Sequence, residues 1–190
     1  MFNQLVYEFA LWLDASRWST LLHESYYMYS WVETTHVLSL MLSLGMLFFI
    51  DLRMLGIALP QVPASVIARR LQLPMFIGFG LMIVTGLLLF YAIPVRSAQS
   101  VWFRIKVLLL LGAAANALVF HYRMKRSVAS WDNAAIVPRN IRAGALLSLL
   151  FWTLIVVCGR LIAYDWYDCS HGQSGFIEAF AGCIDGQTQF

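Results

Sequence analysis

Four long apolar stretches, broken by short polar runs, dominate the chain. They run from about Trp31 to Leu59, Leu73 to Ile93, Val101 to Tyr122 and Ile141 to Tyr164. Each meets the roughly 20 apolar residues a helix needs to cross a bilayer. Proline punctuates them. Pro60 and Pro63 are expected to stop the first stretch and Pro94 the second, while Pro138 sits just ahead of the fourth, where a helix start tolerates it. The pattern predicts an all-α integral membrane four-helix bundle over 31–164.

Residues 1–30 follow a different rhythm. Leu5, Val6, Phe9, Trp12 and Leu13 recur at helical spacing with Asn3, Glu8, Asp14 and Ser16 between them. This predicts an amphipathic helix lying in the membrane interface, with Trp12 and Trp18 as headgroup anchors. Tyr26, Tyr27, Tyr29, Trp31, Trp102, Tyr164 and Trp166 read as further interfacial anchors. Beyond Tyr164 the chain becomes a polar tail, 165–190. No basic residue precedes Arg17, so the start lacks the basic region of a cleavable signal peptide.

Composition agrees with this layout. The 190 residues are 61% hydrophobic and 12% charged, and a soluble domain carries about twice that charge. The net charge of +3 comes from clustered basic residues, without the polar interleaving of a nucleic-acid surface. Arg53, Arg69 and Arg70 follow the first stretch, and Arg123, Lys125, Arg126, Arg139 and Arg142 surround the gap after the third. Arg17, Arg96, Arg104 and Lys106 lie on the other side. Eight against four places the basic loops in the cytoplasm and both termini in a periplasm-like space. Cys169 and Cys183 fall in the outward tail, where an oxidising compartment would join them as a disulfide. Cys158 lies within an apolar run.

Ionisable groups inside a span are costly and mark functional sites. Glu33 and His36 share one helix face near the start of the first span, and Lys106 and Arg160 sit at comparable depth. These four are expected to form one outer polar cluster. Asp51 and Arg53 close the other end of the first span, either as a boundary anchor or as an ion pair, and His121 closes the third. His121 is roughly 22 Å deeper than the outer cluster at helical rise. It and His36 are therefore too far apart to share one haem iron. His121 is read equally well as an interface residue, and Lys106 and Arg104 as cations that snorkel to headgroups. Asn116 is expected to hydrogen-bond across the bundle.

Three segments carry a resemblance. The run from Glu33 to Gly56, the TGLLLF segment at Thr85–Phe90 and the run from Phe103 to His121 resemble an uncharacterised family of bacterial four-helix inner-membrane proteins. More distantly, the layout resembles CopD-like copper-resistance domains and HemJ-type protoporphyrinogen oxidases. Those have a histidine early in the first helix, an arginine near its far end and a lysine opening a later helix, matching His36, Arg53 and Lys106. The HemJ resemblance implies a haem ligand at His36. The chain departs from that family in having Asp-Leu-Arg where Pro-Arg-Leu is typical, and in its long N-terminal segment and cysteine-containing tail.

The resulting expectation is a haem b protein of the bacterial inner membrane that passes electrons between the quinone pool and a periplasmic or membrane redox partner. His36 would be an axial ligand, His121 the candidate for a separate metal position, and Arg160, Arg104 or Lys106 the propionate partners. Three alternatives stand beside it: a porphyrinogen oxidase, copper handling with His36 joined by His23, Met28 or His171, and an accessory subunit or homo-oligomer packing through Ala113 and Ala117.

Overall fold

The Ser16 side chain divides the N-terminal segment. Its backbone leaves the helical region and its hydroxyl accepts from Ser19 N at 3.2 Å, capping a new helix. The computed structural model describes residues 1–131, 137–164, 169 and 175–184, the side chains of 124–131 excepted. In it the expected single amphipathic helix is two, α1 (Phe2–Asp14) and α2 (Arg17–Glu24). There follow α3 (Met28–Met54), α4 (Ala64–Ala92), α5 (Pro94–Ala98), α6 (Val101–Trp131), α7 (Arg139–Ala163) and α8 (Gly175–Ala181). No strand occurs among the described residues.

Helices α3, α4, α7 and the Val101–Arg123 part of α6 are long and apolar enough to cross a membrane. Their leucines and valines stand open on the surface, among them Leu38, Leu87, Leu111 and Leu146. Apolar exposure on this scale is what a lipid-facing surface requires. The protein is an all-α membrane bundle.

The ends differ from the sequence expectation for local reasons. Helix α3 stops at Met54, before either proline. Gly56 adopts φ +80°, its N–H bonds Arg53 O at 3.0 Å, and Ile57 N bonds Leu52 O at 2.9 Å. This is a Schellman end, which glycine permits without strain. Helix α4 begins at Ala64 rather than Leu73 and contains Pro74. Arg69, Arg70 and Gln72 hide its first turns from a hydropathy reading. Pro94, expected only to stop a span, also opens α5.

The chain forms two compact units. Unit 1 comprises Met1–His36, Ile83–Leu108 and the described part of Val156–Phe190; unit 2 comprises Val37–Met82 and Leu109–Ile155. The four long helices contribute to both.

In unit 1, α1 packs Ala10 against Val95 and Ala98 of α5, flanked by Val6, Tyr7, Leu11 and Phe90. Its other face leaves Phe2, Leu5, Phe9 and Trp12 exposed, the apolar stripe of an interfacial helix. Tyr91, at the end of α4, holds α2: Ser19 Oγ donates to its carbonyl at 2.7 Å and Ser16 bonds its hydroxyl. The expected disulfide joins Cys169 to Cys183, with Cα atoms 5.5 Å apart. Gly182, at φ +80°, turns the chain out of α8 toward Cys183.

In unit 2, Ile50, Met54, Ala64, Ile67, Val137, Ile141 and Ala145 form the core. Small residues set the helix approaches. Gly78 receives Ser43, Gly112 the ring of Phe151, and Gly144 the ring of Phe120. Asn116 Nδ2 donates to Gly144 O at 3.0 Å, and Phe79 meets Trp152 at 5.2 Å between centroids.

Candidate functional site

His36 is half-buried on α3, and its Nδ1 lies 3.0 Å from Thr85 Oγ1 on α4. Thr85 is itself buried. The next residue is Gly86, where a Cβ would come within 3.2 Å of His36 Cε1. Threonine thus orients the ring and glycine admits it against the α4 backbone. When Thr85 accepts from Nδ1–H, Nε2 is the basic nitrogen of the tautomer. Thr85 and Gly86 open the TGLLLF segment. That segment marked the place in the sequence without revealing its role as the cradle of His36.

The residues expected to cluster with His36 are held elsewhere in unit 1. Glu33, Lys106 and Arg160 each have neighbours of their own. Glu33 is exposed, and its electrostatic neighbour is Tyr29, which Arg96 also influences. Lys106 is half-buried against α7, its Nζ beside Gly159 and electrostatically coupled to the buried Cys158 thiol. Arg160 is exposed, donates to Tyr164 Oη at 2.5 Å and lies 4.6 Å from the centre of that ring.

Arg104 takes a structural post. Its Nη1 donates to Asn3 Oδ1 at 3.0 Å and its Nε to Ala98 O at 3.1 Å, while Asn3 Nδ2 donates to Ala179 O at 3.3 Å. One guanidinium thereby links α1, α5 and α6, and Asn3 extends the link to α8. A side chain at Gly182 would collide with the same guanidinium.

His121 is exposed and belongs to unit 2, whereas His36 belongs to unit 1. His23 is exposed and meets Tyr29 edge-on at 6.2 Å. His171 and Trp166 lie outside the described residues, as do the side chains of Lys125 and Arg126. Among the described residues no three His, Cys, Asp or Glu side chains group to hold a metal ion. Ala113 is buried in unit 2, and Ala117 is exposed.

Asp51 and Arg53 are the unexpected pair. Both lie inside unit 2, at 4% and 1% exposure, so they are no surface anchor. Two residues apart on a helix, they point to different sides. Arg53 Nε donates to Val62 O at 2.7 Å in the turn after α3. The Ser148 hydroxyl of α7 approaches the Asp51 carboxyl. Asp51 Oδ2 and Arg53 Nη1 remain without hydrogen-bond partners.

Unit 1 also carries an apolar groove of about 610 Å³ between α2, the start of α3 and the end of α4, lined by Trp18, Leu21, Leu22, Met28, Leu88 and Tyr91.

No curated protein and no solved structure matches the chain, and these comparisons show no link to CopD-like or HemJ-type proteins. A family model matches residues 12–165, covering the four spans and most of the N-terminal segment, and the chain belongs to that family of unknown function, DUF6644.

Proposed function

We propose that the chain is a haem b-carrying subunit of a bacterial inner membrane, with His36 as its axial ligand, moving electrons between quinone and a periplasmic partner. The observation that carries the reading is the setting of His36: an imidazole within a span, oriented through Nδ1 by a buried threonine and laid against a glycine. A hydrogen bond at one ring nitrogen fixes the tautomer and raises the ligand strength of the other. The resemblance of the first-helix histidine to that of HemJ-type proteins points the same way.

The fit is to one side of a haem. Unit 1 supplies one oriented nitrogen donor, and Lys106 is a half-buried cation suited to a propionate. Arg104 is already committed to Asn3 and Ala98, and His121 belongs to the other unit. When bound, haem supplies one-electron chemistry whose potential is set by its axial ligand and by burial. His36 would hold the iron, Thr85 orients the imidazole, and the lipid-covered helices would exclude water.

In this reading the loops that carry Arg53, Arg69 and Arg70 and Arg123 to Arg142 face the cytoplasm, and the cysteine-bearing tail faces an oxidising periplasm. The two signals are independent and agree. The groove at Trp18 and Tyr91 has room for a quinone ring, which makes it the natural place to seek quinone binding.

The test is a pair of visible spectra, oxidised and dithionite-reduced, on detergent-purified protein supplied with haem. Wild type and His121→Ala should show a sharp reduced α-band, and His36→Ala should not. A well-folded wild type without a Soret band would overturn the reading, and copper analysis and co-purifying membrane subunits would then take precedence.

A further inference from the structure

We propose that Asp51, faced by Ser148, is an intramembrane site for a monovalent cation, either a proton or sodium. The site lies in unit 2 and does not depend on the haem reading. Asp51 stands in a span at 4% exposure with Oδ2 unpartnered. A bare carboxylate in such a place is strongly destabilised unless a positive charge compensates it.

Among the described residues no cation bonds Asp51 Oδ2. Arg53 reaches the Val62 carbonyl on another side of α3 and leaves its own Nη1 without a partner. Ser148 is neutral and itself buried. The core at this end of α3 contributes Ile50, Met54, Ile67, Ile141 and Ala145, all apolar. Arg69 and Arg70 of α4, Arg123 of α6 and Arg139 and Arg142 of α7 are exposed. His121 of α6 is exposed as well.

The donor set chooses the ligand. Carboxylate and hydroxyl oxygens are hard donors that suit a proton or an alkali cation rather than a soft metal. Among the described residues no group of three His, Cys, Asp or Glu side chains forms around Asp51 to make a divalent site. A buried carboxyl without a permanent counter-charge takes up and returns one cation, as ion-coupled membrane proteins require.

Two readouts on the full-length purified protein separate the sources. Infrared spectroscopy reports the C=O stretch of a protonated carboxyl, and thermal unfolding in NaCl, KCl and choline chloride reports sodium binding. A proton site gives a carboxyl band at neutral pH that is lost in Asp51→Asn and shifts in frequency in Ser148→Ala. A sodium site gives stabilisation by NaCl over KCl that Asp51→Asn abolishes. Wild type showing neither signal overturns the proposal, and so does either signal persisting undiminished in a folded Asp51→Asn. The wild-type and Ser148→Ala readouts keep the test decisive if Asp51→Asn fails to fold.

Discussion

The two units handle polar groups in opposite ways. Unit 1 pairs several of its own: Arg104 bonds Asn3 and the Ala98 carbonyl, His36 meets Thr85, and Ser16 and Ser19 hold Tyr91. Unit 2 keeps two oppositely charged residues buried and leaves one atom of each unpartnered. Buried polar groups are ordinarily hydrogen-bonded, and the exceptions point to function or to an absent ligand. Unit 1 therefore reads as a braced scaffold around one oriented imidazole, and unit 2 as a closed apolar core around an unsatisfied charge.

That contrast breaks most strongly at the tail. Reducing the disulfide, or Cys169→Ser, should cost about 3 kcal/mol, the closure entropy of a loop of this length. Hydrogen exchange should then rise in α8 and α1 while unit 2 keeps its protection. Equal loss in both units would contradict the division.

Next comes the imidazole's seat. Gly86→Val puts branches where His36 Cε1 already lies 3.2 Å from an added Cβ. Overpacking of this kind costs about 1–3 kcal/mol. Thermal unfolding in detergent should show that loss, accompanied by loss of haem. Gly45→Val, at a glycine with open space around it, is the control that should keep its haem.

A smaller effect is expected at the α2 cap. Ser16→Ala removes both the N-cap and the bond to Tyr91 and should cost about 1 kcal/mol. Tryptophan fluorescence from Trp18 reports it, and an unchanged spectrum would show that the Ser19 bond and the apolar face hold α2 without Ser16. Smallest is Asn116→Ala in unit 2, at about 0.6 kcal/mol, the average for one interhelical hydrogen bond in a membrane. A loss several times larger would mean that unit 2, too, relies on polar bracing.

The spans were legible because lipid selects apolar length, which local sequence records directly. The amphipathic start was legible for the same reason, whereas the Ser16 cap that divides it is a local hydrogen bond that apolar spacing does not record. Helix ends were read less well. Prolines at 60 and 63 drew attention from Gly56, whose left-handed backbone ends α3 four residues before Pro60. The tail helix α8 is too short to show a periodicity.

The candidate site was legible residue by residue and not as an arrangement. His36 stood out as a histidine in an apolar span, but its partner Thr85 lies on another helix. Residue counting places Lys106 and Arg160 at its depth, yet each faces other neighbours, because depth along an axis says nothing about rotation around it. Asp51 and Arg53 sit at the end of a span in sequence, yet the α3–α4 turn and α7 fold over them. Only tertiary packing could reveal that they are buried.

The most direct test of the central claim is chemical rescue at His36. Haem-supplied His36→Gly should lack the reduced α-band and regain it with added imidazole, while Asp51→Asn keeps the wild-type band throughout. A wild-type band that survives in His36→Gly without imidazole would show that another group holds the iron, contradicting the account.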